Sequence, residues 1–540
     1  MLMKYSILTI ALFLSSLLSG FDINQHESPQ KLLSKMTLRE KIGQLCMVAA
    51  VSNEERNQDL IQRWARWQPL YHLEKSYIDE LIKTHAIGGI IFFGRNTYPE
   101  EQIVLTKHFQ SLSNTPLLIG LDAECGLASQ LNNEAVLRFP FNMTLGAVRK
   151  PELIYKTAYE TGRELKSLGV HINFAPVVDV NNNPKNPVIG MRSFGSDKEL
   201  VATLGIAQMQ GFQDAGIIAC AKHFPGHGDT STDSHEALPI ISHSKEHLEE
   251  LELYPFQKLI NAGVESVMIA HLDVPALEKA ANTPSTISYA IVTELLKKKM
   301  GFNGLIFTDA LGMKAIADCY EPGEVEVKAL QAGADILLCP LDPVKAIDSI
   351  EQAVHSGTLN ETDINKKVLK ILKAKARAFL HTREQSSINF KSKHALELKK
   401  KLYTQAITTV QSTDEAEKRD LTDIEMYQSP DLKPFEEKLQ SLSMQKSPES
   451  LKHVVIALTH TFPFDDEIIV DTLKDHIQDL KNESAIVTVV LFCTPYHIPL
   501  VQGADRIVVA YENDPDAQIA AAEVLCGKRK ATGVLPITFN

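Results

Sequence analysis

The sequence predicts a (β/α)8 TIM barrel followed by a smaller α/β sandwich domain. Three observations lead to this fold class. The chain has 540 residues, a length that suits one large barrel with a smaller partner. Short apolar runs alternate with amphipathic segments between residues 30 and 385, and continuous apolar runs are typical of strands covered on both faces. Eight such runs occur there, which is the strand number of a (β/α)8 barrel. A doubly wound parallel sheet would show the same alternation and is the alternative.

The predicted barrel strands are short, and amphipathic segments such as 151–168, 245–262 and 290–299 separate them. Segments with one apolar face are expected to form the outer helices of the barrel. The eight predicted strands, in chain order, are Gln44–Ala49, Gly89–Phe93, Leu117–Leu121, His171–Phe174, Ile217–Cys220, Ser266–Ala270, Gly304–Thr308 and Asp335–Leu338.

Residues 1–20 have the layout of a secretory signal peptide. Lys4 precedes an apolar stretch that ends at Leu18, and the small residues Ser19 and Gly20 follow. The stretch is shorter than the roughly 20 apolar residues of a membrane span. We therefore expect export to the periplasm or the extracellular space, with no membrane span in the mature chain. A buried first helix is the alternative.

The domain organisation follows from an interruption, after the barrel, in the alternation of apolar runs and amphipathic segments. We predict a catalytic barrel domain over 21–385, a linker over 386–401 and a C-terminal α/β domain over 402–540. The linker contains a charged segment that favours a helix, and apolar runs alternate again with helical segments beyond it. Residues 411–450 are polar with little periodicity, so we expect loops there.

Composition excludes several classes of partner and architecture. Lys and Arg number 55 against 67 Asp and Glu, so the net charge is −12, and no long basic run occurs. Nucleic acid and anionic membranes are therefore poor partners. The seven cysteines are irregularly spaced without a CxxC pair, which favours buried free thiols over a disulfide framework.

Polar residues follow five consecutive predicted strands. In a barrel the carboxyl ends of all strands meet at one face, where catalytic side chains stand. These residues are therefore expected to form one site. They are Asp122 and Glu124 after the third strand, Asp179 and Arg192 after the fourth, Lys222 and His223 after the fifth, His271 after the sixth and Asp309 after the seventh.

The most informative segment is the loop after the fifth strand, KHFPGHGDTSTDSH at 222–235. Asp233 and His235 lie two residues apart, close enough for a carboxylate to hold an imidazole in one tautomer. His235 is thus a candidate proton donor and acceptor. Three His and two Asp in this loop also permit a metal site. We rank the metal second because the first strand lacks the His-x-His pair of barrel metallohydrolases.

Asp309 follows a strand and precedes a loop. An Asp at such a position is often a helix N-cap. Opposite a proton donor across a barrel mouth, however, an ionised carboxylate gives the arrangement that cleaves a glycosidic bond with retention. One group attacks the anomeric carbon and the other protonates the leaving oxygen.

Several motifs resemble glycoside hydrolase family 3, specifically its NagZ-like β-N-acetylglucosaminidases of the two-domain secreted type. The loop 222–235 matches that group's signature throughout, and further similar segments appear in the family's order. They are NFAPVVDVNNNPKNPVIGMRSFG (173–195), VMIAHLDVPALE (267–278), STISYAIVTELLKKKMGFNGLIFTDALGM (285–313), AGADILLCP (332–340) and CGKRKATGVLPITF (526–539).

The resemblance implies a retaining exo-β-N-acetylglucosaminidase that removes terminal non-reducing N-acetylglucosamine from a glycan, most plausibly from peptidoglycan fragments. It implies no cofactor and no metal, and it says nothing about oligomeric state. The family's nucleophile matches Asp309, and its acid/base dyad matches Asp233 and His235. Matching sugar-binding positions are Asp122, Arg192, Lys222 and His223, and we place His271 at its strand end with them.

This sequence departs from the family after the third strand. Where the family has DxEGGRVxR, the chain has Cys125 for a Gly and Leu127 and Gln130 for two Arg. One of those Arg residues commonly helps to bind the sugar, so the departure predicts altered sugar binding. Other functions left open are a family 3 β-glucosidase or β-xylosidase, an N-acetylglucosaminide phosphorylase, a metal-dependent barrel hydrolase and a non-catalytic sugar receptor.

Overall fold

The structure is a computed structural model that describes residues 27–67, 73–380, 389–414, 416, 423–427, 432–442, 453–459 and 467–539. The predicted signal peptide and much of the segment 411–450 lie outside the described residues. No helix among those described is long and apolar enough to cross a membrane.

Eight parallel strands form a closed barrel in which each strand pairs with the next one in the chain. The last strand returns to the first through Leu337 beside Cys46, and a parallel bridge between Phe307 and Ile336 joins the seventh strand to the eighth. The TIM barrel is thereby confirmed. The strands are β1 (Cys46–Val51), β2 (Gly89–Phe93), β3 (Leu118–Leu121), β4 (Ile172–Asn173), β5 (Ile218–Phe224), β6 (Ser266–Ile269), β7 (Leu305–Thr308) and β8 (Leu337–Leu338).

Helices cover the outside of this barrel, as the amphipathic segments predicted. Aromatic residues fill its interior, where the rings of Phe174 and Phe307 pack edge to face with centroids 5.3 Å apart. The helices are Pro29–Lys35, Leu38–Gly43, Gln58–Trp67, Lys75–His85, Pro99–Leu112, Asn142–Val148, Pro151–Ser167, Lys198–Asp214, Lys245–Glu250, Leu253–Asn261, Ala290–Lys299, Lys314–Ala317, Glu324–Ala332, Pro343–His355 and Glu361–Leu380.

The described part of the second domain contains a smaller sheet of five strands. They are β9 (Thr408–Ser412), β10 (Asp423–Tyr427), β11 (His453–Leu458), β12 (Ile486–Leu491) and β13 (Arg506–Val509), accompanied by helices Lys433–Leu442, Glu467–Asn482 and Pro515–Leu525. The strand order in the sheet is β10-β11-β12-β13-β9, and β9 alone of these five runs antiparallel to its neighbour. This confirms the α/β class of the domain.

A helix over Lys393–Ala406 joins the two domains and packs against both. Glu512 of the second domain is buried at the junction. Its carboxylate accepts hydrogen bonds from the main-chain N–H of Phe141 (2.8 Å), the hydroxyl of Thr144 (2.6 Å) and the hydroxyl of Tyr403 (3.2 Å). The second domain thus supports a segment of the barrel that borders the cleft described below.

All seven cysteines are free thiols, and five of them are buried. This agrees with the prediction from their spacing.

Candidate active site

A cleft of about 760 Å³ opens at the carboxyl ends of the barrel strands. Six of the eight residues predicted for the site line it. Asp233 lies behind His235, and His271 lies behind Asp309, so the two others support the cleft from outside its wall. The six lining residues are Asp122, Arg192, Lys222, His223, His235 and Asp309.

Asp309 follows β7 directly and is partly exposed to the cleft. Its main-chain N–H donates to the carbonyl of Ile269 on β6 (2.8 Å), and its Oδ1 accepts from the N–H of Ala310 (2.8 Å). Burial raises the pKa of this carboxyl, but the nearby His271 and His223 imidazoles and the Ala310 N–H outweigh that effect, so the net pKa lies below its usual value. Asp309 is therefore ionised and fixed, as a nucleophile must be.

His271 is fully buried beneath Asp309 and does not reach the cleft wall. Its Nε2 lies 2.9 Å from the carbonyl of Ala310, and its Nδ1 lies 2.6 Å from the hydroxyl of Thr286. Because burial lowers the pKa of His271, we assign the neutral ring, with Nε2–H donating to Ala310 and Nδ1 accepting from Thr286. In this geometry His271 holds the segment that follows Asp309.

Asp233 and His235 form the predicted pair. Asp233 Oδ1 accepts from the main-chain N–H of His235 (2.8 Å) and lies 2.7 Å from its Nδ1. The carboxylate therefore fixes the orientation of the imidazole ring. The tip of this loop is tied to the segment after Asp309, since the carbonyl of Ser234 accepts from the N–H of Ala315 (3.3 Å).

His227 supports the same loop from inside and was missed at the level of sequence. Its Nδ1 lies 2.8 Å from the hydroxyl of Thr230, and its Nε2 lies 3.2 Å from that of Ser234. Burial lowers the pKa of His227 to about 4, so the ring is neutral and joins the two ends of the turn. The three loop histidines thus hydrogen-bond to different protein groups rather than to one common point.

A charged network forms the other wall of the cleft. Lys222 contacts Asp122 (2.6 Å) and Glu124 (2.8 Å), and Arg192 donates two hydrogen bonds to Glu124 (2.9 and 2.7 Å). Burial raises the pKa of Glu124, but Arg192 and Lys222 outweigh it and hold the pKa far below its usual range. Two cations are balanced by two carboxylates. Asp122 was predicted here, whereas Glu124 was noted only as a polar residue after the strand.

Asp179 anchors the stem of the loop, although sequence reasoning gave it no role beyond its place after a strand. Its carboxylate is fully buried. It lies 2.7 Å from His223 Nδ1 and accepts from the main-chain N–H of His227 (2.7 Å). Because Arg192 donates to Nε2 of His223 (3.3 Å), we assign the proton of His223 to Nδ1.

The departure from the family pattern has two structural outcomes. Leu127 is fully buried in the core, so it presents nothing to a ligand. Gln130 does line the cleft, and two arginines that the sequence argument did not single out, Arg95 and Arg138, line it as well. Cationic side chains therefore line the mouth of the cleft even though Leu127 and Gln130 replace the two arginines of the family pattern.

Comparison with known proteins gives the same picture. A family model described as the glycosyl hydrolase family 3 N terminal domain matches residues 37–374. The chain is 38% identical over 328 residues to "Beta-hexosaminidase A" of Pseudoalteromonas piscicida, covering 56% of this chain and 55% of that protein. It is 36% identical over 299 residues to "Beta-hexosaminidase LpqI" of Mycobacterium tuberculosis, covering 54% of this chain and 76% of that protein. The match to the first of these relatives therefore spans about half of its length.

Among solved structures, a glycoside hydrolase family 3 β-N-acetylglucosaminidase from Paenibacillus sp. str. FPU-7 is similar along both domains. The TM-score is 0.78 at 32% sequence identity, and the match covers 93% of this chain and 99% of that one. A β-glucoside phosphorylase, BglX, has the same TM-score at 19% identity, which shows a shared fold alone.

Proposed function

Because the chain belongs to glycosyl hydrolase family 3, we propose that it is a retaining exo-β-N-acetylglucosaminidase. Relatives named β-hexosaminidases and the β-N-acetylglucosaminidase structure from Paenibacillus support this choice of sugar. The observation that carries the proposal is that Asp309 and His235 line one cleft. A carboxylate with a lowered pKa thus shares a sugar-sized space with an imidazole whose Nδ1 is held by a second carboxylate.

In the first step Asp309 attacks the anomeric carbon and forms a glycosyl–enzyme ester. The bond from that carbon to the leaving oxygen breaks, and the protonated His235 gives its Nε2 proton to this oxygen. Asp233 accepts from Nδ1–H before and after the transfer, so the proton that moves is the one on Nε2. His235 is exposed for about half of its side-chain surface, which leaves room for the leaving group.

In the second step His235 is neutral and takes a proton from water at Nε2. The resulting hydroxide attacks the anomeric carbon, the ester bond to Asp309 breaks, and the sugar leaves with retained configuration. The ring is then protonated again and ready for the next substrate. One imidazole therefore acts as the acid and then as the base.

The charged network supplies the sugar contacts in this proposal. Asp122 is about one quarter exposed and can accept from sugar hydroxyls, while Lys222 is almost fully buried and donates to it. Arg192 and His223 stand beside them on the same wall and offer further donors to hydroxyl or acetamido oxygens. The proposal also includes peptidoglycan fragments as the natural substrate, on the basis of the family resemblance. It includes export of the chain, on the basis of the signal-peptide layout of residues 1–20.

Kinetics on a chromogenic N-acetylglucosaminide, measured beside the matching glucoside, test the proposal. Asp309→Ala removes the carboxylate that forms the ester in this proposal, so we expect a loss of several orders of magnitude, about 10⁴-fold or more. Asp318→Asn changes an exposed aspartate nine residues further along the chain and serves as the control. Activity of Asp309→Ala near that of the control would end the proposal.

Two further measurements separate the alternatives. His235→Ala should reduce the rate on substrates with poor leaving groups far more than on activated aryl glycosides, because only the former need protonation. Equal losses on both would mean that His235 binds rather than transfers protons. Adding inorganic phosphate and looking for N-acetylglucosamine 1-phosphate distinguishes hydrolysis from phosphorolysis. A faster rate on the glucoside would favour a β-glucosidase.

A further inference from the structure

A second cluster of titratable side chains lies outside the cleft, behind the loop that carries Asp233 and His235. It consists of Asp229 in that loop, His243 just before the helix Lys245–Glu250, His247 within that helix and Glu252 just beyond it. None of these four residues has a part in the proposed reaction. His243 Nε2 contacts the Asp229 carboxylate, and the rings of His243 and His247 stack with centroids 4.1 Å apart.

Glu252 is the unusual member of this cluster. The residue is 2% exposed, and neither oxygen of its carboxylate has a hydrogen-bond partner. The Nε2 atom of His247 is also buried without a hydrogen bond. Within the described part of the chain, the only basic group within 4.0 Å of the Glu252 carboxylate is His247. Buried carboxylates are normally paired, hydrogen-bonded or bound to a metal, because an unsatisfied one is costly.

The spacing of these unsatisfied atoms fits two ligands of one ion. His247 Nε2 lies 3.5 Å from Glu252 Oε1. Zinc ligands at about 2.0–2.1 Å in a tetrahedral arrangement stand roughly 3.3 Å from each other. The candidate ligand atoms of His243, His247 and Glu252 all lie within 4.8 Å of one another, and Asp229 adjoins His243.

We propose that His243, His247 and Glu252 form a binding site for a divalent transition metal, with Zn²⁺ as the ion that suits them best. Two imidazoles and one carboxylate supply three ligands of a tetrahedral zinc site, and Asp229 orients the ring of His243 from outside the ligand set. Imidazole nitrogens disfavour Mg²⁺ and Ca²⁺, which prefer oxygen ligands. The Glu252 and Asp229 carboxylates together carry a charge of −2, which the ion neutralises.

The position of the site gives the ion a structural role. Asp229, which contacts His243, belongs to the loop 222–235, whereas the three ligands belong to the segment behind it. The two parts already touch, since a Cβ added at Gly226 would lie 2.7 Å from the Cβ of Glu252. A bound ion therefore holds His243 in place, and through the contact of His243 with Asp229 it holds the loop against the barrel's outer helices. That this fastening serves catalysis rests on the proposed function, whereas the metal site itself does not.

Calorimetric titration of the metal-stripped protein with zinc chloride tests the site without any substrate. We expect one Zn²⁺ per chain, no comparable binding of Mg²⁺ or Ca²⁺, and a rise of several degrees in the melting temperature on zinc addition. Cobalt(II) in the same site should show the visible absorption of a tetrahedral centre. Absence of stoichiometric zinc binding would overturn the proposal and leave His247 and Glu252 as an ion pair.

Variants locate the binding. His247→Gln and Glu252→Gln should weaken zinc binding about 100-fold or more and abolish the thermal shift, whereas His394→Gln, at an exposed histidine of the linking helix, should bind zinc like the parent chain. Glu252→Gln removes a buried charge at constant volume, so it decides the question if His247→Gln does not fold. Zinc affinity unchanged in Glu252→Gln would place the ion elsewhere and refute the site.

Discussion

The substitution Glu124→Gln probes the charged network that forms one wall of the cleft. Glu124 binds Arg192 through two hydrogen bonds and Lys222 through one contact, and its side chain is 14% exposed while that of Lys222 is 4% exposed. The wild-type network holds two cations and two carboxylates. The substitution removes one of these two carboxylates and leaves both cations, one of which is almost completely removed from water.

The magnitude follows from this imbalance. Removing one partner of a buried ion pair typically costs about 3–5 kcal/mol, because the remaining charge is left uncompensated. We take about 3 kcal/mol, since Arg192 is 26% exposed and water screens part of the excess charge. The pair Lys298–Glu294 is exposed, with side chains 60% and 49% accessible, so water screens it and the control Glu294→Gln should leave the urea midpoint almost unchanged.

A double-mutant cycle isolates the electrostatic part. Lys222→Met alone leaves one excess negative charge, while Glu124→Gln with Lys222→Met leaves Asp122 opposite Arg192 in balance. The double variant should therefore be more stable than the sum of the single effects predicts, by about 2 kcal/mol. Urea unfolding followed by tryptophan fluorescence and by activity gives the shifts in midpoint. Additivity within about 0.5 kcal/mol, or a Glu124→Gln effect no larger than that of Glu294→Gln, would refute the reasoning.

Three further predictions concern other buried groups. Burial raises the pKa of Glu164 to about 9, above its value in the unfolded chain, so the free energy of unfolding is highest in acid and falls as the pH rises from about 4.5 to 9. Glu164→Gln should therefore raise the melting temperature measured by calorimetry by several degrees at pH 8 and hardly at pH 4.5. Glu512→Ala removes the acceptor of the Phe141 N–H, and because Phe141 lines the cleft, KM should rise several-fold while aryl-glycoside kcat changes less. His271→Asn removes the Nε2–H donor to the Ala310 carbonyl and so loosens the segment after Asp309. We expect kcat to fall several-fold with little change in KM; a raised KM with unchanged kcat would instead indicate direct sugar binding.

The barrel could be predicted from apolar runs because parallel strands are buried on both faces. The residues at which the strands end could not be predicted as well. The fifth strand was expected to end at Cys220, yet β5 continues to Phe224 and includes Lys222 and His223. Polar side chains at the carboxyl end of a barrel strand point into the site, so they interrupt the apolar pattern without ending the strand.

The sequence could predict which residues belong to the candidate site but not how their side chains are arranged in it. Strand ends indicate which residues share one face of the barrel, and this brought six of eight predicted residues to the cleft wall. Sequence does not show which side chains turn beneath that wall. His271 follows its strand as Asp309 does, yet it lies in the core, and Asp179 gained its role only through the loop that folds over it.

The proposed nucleophile and the proposed proton donor are held in different ways, and this difference has a mechanistic consequence. Asp309 directly follows a barrel strand. Its main-chain N–H donates to the carbonyl of Ile269, and its carboxylate accepts from the N–H of Ala310. His235 stands at the exposed tip of a loop whose stem is anchored by Asp179 and His227. Substitutions in the strand ends should therefore affect both steps of the reaction. Substitutions near the tip of the loop should matter most for substrates with poor leaving groups, because they displace the imidazole and leave the Asp309 carboxylate where the barrel places it.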